Sequence, residues 1–140
     1  MDLASSFNKL SVDDFPGKVH VFAALVGDHH TEFILVNFSN AIHLFITQYY
    51  KIGNIYQVKV DLPENGISIA EPVYNIKQLL GAENIAAEVA LRYLTEKLKI
   101  RKKLLASLTL KNFDKENIDT IVEVIVEYKK NGSGQEGTKS

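Results

Sequence analysis

Between Lys18 and Asp61 the chain carries four apolar runs, each separated from the next by only a few residues. The first, Lys-Val-His-Val-Phe-Ala-Ala-Leu-Val over 18–26, is β-branched and aromatic, and the polar turn Gly27-Asp28-His29-His30 closes it. A second run covers Thr31 to Ser39. Asn40 marks another tight connection before Ala41 to Tyr50, and the turn Lys51-Ile52-Gly53-Asn54 leads to a fourth run, Ile55 to Asp61. Parallel neighbours need crossovers of about a dozen residues or more, so connections this short predict an antiparallel meander of four strands.

Beyond Asp61 the pattern changes. Leu62 to Pro72 holds two prolines, Gly66, Asn65 and two glutamates, the composition of an exposed loop, and Val73 to Leu80 returns to strand character before Gly81. From Glu83 to Lys99 the apolar period becomes helical. Ala87, Ala90, Leu91, Leu94 and Leu98 share one arc with Ile85, Val89 and Tyr93 beside it, while Glu88, Arg92, Thr95 and Lys99 project opposite. Lys103 to Lys111 reads as another strand. Asp114 can cap a second helix from Lys115 to about Lys129, in which Glu116, Asp119, Glu123 and Glu127 run along one side. The β-branched stretch Ile121 to Val126 argues for a strand, but only a helix aligns those acids.

The expected fold class is α+β: an antiparallel sheet of five to six strands with an N-terminal meander, plus two helices. Residues 1–17 read as an extended lead-in with edge pairing near Phe7 to Val12, residues 18–130 as the single domain, and the glycine-rich residues 131–140 as a disordered tail. The lead-in lacks the basic and apolar regions of a secretory signal, and a cytoplasmic or nuclear protein is expected.

The middle strands are apolar on both sides. Phe33 and Leu35 alternate with Ile34, Val36 and Phe38, and Ile42, Leu44 and Ile46 alternate with His43 and Phe45. Two helices can cover roughly one face of a sheet this wide. The other face is therefore expected to be buried against a second chain, either identical or homologous, unless the sheet coils enough and the lead-in drapes far enough to seal it within the monomer.

Chemistry is hard to find. The chain has no cysteine, which removes disulfides, zinc-thiolate sites and thiol nucleophiles, and a net charge of -1 provides no field for gathering nucleic acid. His29-His30 has no third ligand at suitable spacing and reads as a solvated turn; His20 and His43 sit within strands and receive no role. Asp13-Asp14 and the acids of the second helix read as structural. No phosphate-binding glycine motif occurs. The dense basic cluster Lys97, Lys99, Arg101, Lys102 and Lys103 straddles the end of the first helix, where cations complement the negative end of the dipole; it also offers a contact surface for an acidic partner.

The stretch Thr31 to Gly53, above all Phe38-Ser39, Ile42, Ile46-Thr47-Gln48 and Lys51-Ile52-Gly53, resembles the core segment of proteasome assembly chaperone 3, and Leu79-Leu80-Gly81 before an amphipathic helix matches that family's next block. The similarity extends over residues 18 to 129 in element order. Two features depart from it: Tyr50 precedes the turn where a small residue is expected, and the glycine-rich tail has no counterpart. The resemblance implies a small non-catalytic chaperone without cofactors or metals. It would pair with a same-fold partner, bind α-type subunits while the 20S proteasome forms, and contact neither nucleic acid nor membrane. Partner contacts are expected at Lys102 and Lys103 and, in the loop after the fourth strand, at Glu64, Asn65 and Glu71. Two other readings stand beside it: a roadblock- or longin-like signalling or trafficking scaffold, and an enzyme or ligand carrier built on His20, His43, Tyr49 and Tyr50 at the seam between two chains.

Overall fold

The computed structural model describes residues 19–49, 52–61 and 72–134. The expected lead-in and the greater part of the 62–72 loop, with Glu64, Asn65 and Glu71, lie outside the described residues, as does Tyr50.

Six strands form one open sheet: β1 (Val19–Val26), β2 (His29–Asn37), β3 (Ala41–Thr47), β4 (Ile55–Asp61), β5 (Val73–Leu80) and β6 (Lys103–Thr109). Among the described residues two helices accompany the sheet, α1 (Ile85–Lys97) and α2 (Lys115–Gly134). The α+β expectation holds, with mostly antiparallel pairing.

The meander holds for three strands and not for the fourth. Spatial order is β1-β2-β3-β6-β4-β5, so β6 lies between β3 and β4. It pairs parallel with β3 from Ala41↔Lys103 to Thr47↔Thr109, and antiparallel with β4 through Tyr56↔Ala106 and its neighbours. The β4–β5 hairpin and α1 thus form the long crossover between parallel β3 and β6. A six-stranded sheet buries its most apolar strand centrally. In β6, Leu104, Ala106, Ser107 and Leu108 are all buried, which makes it the better neighbour for β3.

The β1–β2 connection is tighter than expected. Gly27 and Asp28 take φ of 59° and 67°, the two-residue turn whose twist matches a hairpin, so His29 and His30 begin β2 and pair with Val26 and Leu25. A Cβ on Gly27 would meet Asn117 Oδ1 at 2.7 Å, so the turn is also where α2 starts against the sheet.

Asn84 starts α1, its side chain accepting the Ala87 N–H at 3.1 Å. The helix ends in a Schellman pair, Ile100 N–H to Thr95 carbonyl and Lys99 N–H to Glu96 carbonyl, with Lys99 at φ 55° where glycine is usual. Thr95, expected on the solvent stripe, is fully buried; its hydroxyl donates to the Leu91 carbonyl at 2.7 Å and so needs no water. The β-branched stretch of α2 is helical, burying Ile118, Ile121 and Ile125, and the helix runs through Gly134, past the expected start of the tail.

Both helices pack on one face of the sheet. Phe33, Leu35, Ile42, Leu44, Ile46, Tyr56, Val58, Leu104 and Leu108 meet Leu91, Leu94, Ile121 and Ile125 there. Tyr128 of α2 stacks on Phe22 at 3.9 Å between ring centroids, and Phe22 stacks on Phe33 at 4.9 Å.

Candidate functional site

Strand alternation sends every second side chain to the face opposite the helices, and cross-strand register lines these into rows. One row runs Val21, Ile34, Phe45; the next runs Val19, Val36, His43, Leu105. Val19, Val21 and Leu25 are 64%, 67% and 68% exposed, and Ile34 is 38% exposed. Phe38 joins the patch and sits edge-on to His43 at 4.8 Å. Toward β4 and β5 the same face is mixed, with Gln57 opposite Lys77 and Lys59 opposite Asn75 while Val73 and Leu79 are 57% and 48% exposed. The continuous apolar rows run across β1, β2 and β3; the sequence alternation marks β2 and β3 as apolar on both sides.

The residues of the predicted basic cluster have different local surroundings. Lys97 lies over the Tyr93 ring at 5.4 Å, Lys99 terminates α1, and Lys103 is exposed where β6 begins, on the bare face beside Ala41. Lys102 is tied down: its ammonium donates to Asn37 Oδ1 at 2.9 Å and to the Phe38 carbonyl at 2.8 Å, pinning the β2–β3 turn to the segment that follows α1. Lys102→Met is accordingly expected to lower unfolding free energy by about 1 kcal/mol, because two charge-assisted bonds in a partly solvated site are lost. Lys103→Gln should stay within about 0.5 kcal/mol of the parent. Urea denaturation of the two variants checks the contrast.

The residues behind the enzyme alternative point different ways. His20 faces the helices, its Nδ1 3.2 Å from the Tyr128 hydroxyl; His43 faces the bare side; Tyr49 stands beyond the end of β3 with the Lys111 ammonium 5.5 Å from its ring centroid. They do not converge on one site. Among the described residues no cluster of three or more His, Asp or Glu could hold a metal ion, and no helix is long and apolar enough to cross a membrane.

The motif residues Thr47-Gln48 and Gly53-Asn54 serve as internal fasteners. The Gln48 amide donates to Thr31 Oγ1 at 2.9 Å and to the Val26 carbonyl at 3.2 Å, and its Oε1 accepts the Lys111 N–H at 2.7 Å. Asn54 copies a strand residue: its side chain donates to the Leu108 carbonyl at 2.7 Å and accepts the Leu108 N–H at 2.9 Å. Gly81, at φ 102°, lets the end of β5 press on this point, since a Cβ there would stand 2.6 Å from the Gly53 carbonyl.

Sequence reasoning missed a second surface. Val89 and Ile85, expected beside the buried arc of α1, are 62% and 69% exposed, and between α1 and α2 runs an open groove of about 380 Å³ walled by Val89, Ala90, Phe113 and Ile118. Tyr93 and Lys115 also line it. Lys97 and Lys115 each hold their ammonium 5.4 Å from the Tyr93 ring centroid. Asp119 answers them, accepting from the Tyr93 hydroxyl and pairing with Lys115 at 2.9 Å. Those two bonds, Tyr93's first, hold the Asp119 carboxyl below the usual carboxylate range, and the bond to Asp119 lifts the Lys115 ammonium above the usual lysine value. The signal in the sequence was the width of the α1 apolar arc, greater than one sheet contact consumes.

A chain in the crystal structure of a chaperone complex for yeast 20S proteasome assembly has the same fold: TM-score 0.62 at 16% identity, covering 78% of this chain and 96% of that one. No curated protein sequence matches the chain. A family model does, over residues 44–128, which run from Leu44 in β3 through the crossover and β6 to Tyr128 in α2. That match spans more than half of the 140 residues, and the chain belongs to the proteasome assembly chaperone 3 family.

Proposed function

We propose that this protein is a non-catalytic chaperone of 20S proteasome assembly that works as a dimer with a same-fold partner and binds α-type subunits. The observation that carries the reading is the bare apolar face of β1, β2 and β3 in a chain of this family. Side chains such as Val19, Val21 and Leu25, more than 60% exposed on one flat edge, are costly in water and are relieved by a second sheet laid against them. Family membership supplies the assembly context.

In this reading the partner sheet covers the bare face while the helix layer remains outward for the client, and Glu64, Asn65 and Glu71 are further contact candidates. No bond is made or broken. The chaperone orients one α subunit and raises the effective concentration of the correct neighbour, and a later subunit competes for the same surface. The protein acts in the cytoplasm or nucleus, where 20S rings form. Lys103, on the rim of the bare face, contributes charge at the seam; Lys102 contributes indirectly by holding the β2–β3 turn.

Affinity purification of the tagged chain from its own cells is expected to recover proteasome α subunits together with a same-fold partner, in the absence of mature proteasome. Recovery of small GTPases or vesicle-coat proteins instead would favour the trafficking-scaffold alternative, and recovery of mature proteasome with no assembly intermediate would overturn the assembly role.

A further inference from the structure

The groove between α1 and α2 lies on the opposite side of the sheet from the bare face, so a chain paired through β1, β2 and β3 still presents it to solution. Its walls are aliphatic and aromatic and its volume, about 380 Å³, lies at the small end of ligand clefts, enough for two or three apolar side chains. Its polar end is unbalanced. Lys115, in the groove wall, and Lys97, beside it, each hold an ammonium 5.4 Å from the Tyr93 ring centroid, and one carboxylate, Asp119, pairs with Lys115. An apolar trough with surplus positive charge at one end complements a segment that is apolar along its length and negative at one position.

We propose that this groove docks a client-protein segment with aliphatic side chains and one carboxylate, the side chains lying between Val89 and Ile118 and the carboxylate on the Lys97 and Lys115 ammonium pair. The Lys115 side chain is 75% exposed, so the apolar walls carry the binding and the charge contact sets the preference for a carboxylate. Exposure of Val89 is then the cost of keeping the groove open for that segment. The inference rests on the chaperone reading only for where the segment comes from. Peptide binding reports on the groove and co-purification reports on the role, so either can fail while the other stands.

The test is a titration of the isotope-labelled full chain, followed by amide NMR shifts, with the blocked peptide acetyl-Leu-Ala-Ala-Leu-Glu-amide and its Gln analogue. Saturable shifts are expected at Val89, Ala90 and Ile118, with the Glu peptide bound about tenfold more tightly than the Gln peptide at low salt and the difference shrinking as salt screens it. Lys115→Met should remove the preference for Glu while leaving the Gln peptide bound. Val89→Glu, at an exposed position that leaves the fold intact, should abolish binding of both. Equal affinity for the two peptides, shifts confined to β1 and β2, or no saturable shift at millimolar peptide would overturn the proposal. So would tighter binding of decanoate, which would make the groove a lipid site, or of a peptide copying residues 10–15, which would give it to the chain's own lead-in. Groove shifts that grow with protein concentration alone would assign it to a second copy and overturn it as well.

Discussion

Gln48→Ala is expected to lower the unfolding free energy by about 3 kcal/mol, with a fall in the urea midpoint and no change in slope. The side chain is buried, and truncating it removes bonds to three groups at once: the Val26 carbonyl at the end of β1, the Lys111 N–H after β6, and the Thr31 hydroxyl on β2, which keeps a second bond, to the His29 carbonyl at 3.0 Å. Each stranded group costs roughly 1 to 3 kcal/mol, and water entering the space left behind recovers part of it. Gln48→Glu serves as the control. A carboxylate keeps the bond from Lys111 but cannot donate to Val26 or Thr31, and it buries a charge beside a carbonyl, so it should be no better tolerated than alanine. A loss below about 1 kcal/mol for both variants would show that Gln48 does not fasten these three elements.

Val21→Asp should leave the protomer folded and disrupt its pairing. Val21 is 67% exposed and sits in the row with Ile34 and Phe45, so in a lone protomer an aspartate there meets water and costs within about 0.5 kcal/mol. At a seam between two sheets the same carboxylate would be desolvated without a partner, a penalty of several kcal/mol that raises the dissociation constant by about a hundredfold or more. Sedimentation at micromolar concentration is expected to show the parent as a dimer, alone or with its same-fold partner, and Val21→Asp as a monomer with unchanged far-ultraviolet dichroism. Lys77→Glu, on the polar β5 end of the same face, should remain paired. A Val21→Asp protein that pairs as tightly as the parent would remove β1 from the seam.

These two predictions draw on residues that the sequence read very differently. Val21 appeared in the sequence only as part of the apolar run 18–26; its neighbours Ile34 and Phe45 were legible as one side of the two-sided middle strands, because strand alternation is local and every second residue shares a face. Gln48 appeared only as part of a motif. Its three partners lie 17, 22 and 63 residues away, and no periodicity links positions that meet only after the sheet is assembled. The same limit hid the bonds of Lys102, whose partners Asn37 and Phe38 are 65 and 64 residues distant.

The position of β6 was lost for a related reason. Short connections argue for neighbouring strands, yet the connection between β3 and β4 steps over one strand, and β6, with Leu104, Ala106, Ser107 and Leu108 buried, takes the central place. The groove between α1 and α2 was likewise beyond the sequence. Alternation and helical period could say that Val89 was apolar and near the buried arc, but not that α2 would stop short of covering it.

Element boundaries, the α+β class and the excess of apolar sheet surface were legible in the order of residues, since each follows from periodicities set by backbone geometry within a few residues. Strand order, the fastening of the sheet through Gln48 and Asn54, and the charged end of the helix groove were decided only by the folded chain, because each depends on side chains brought together across long loops. Their free energies exist only where both partners are held in place and water is excluded.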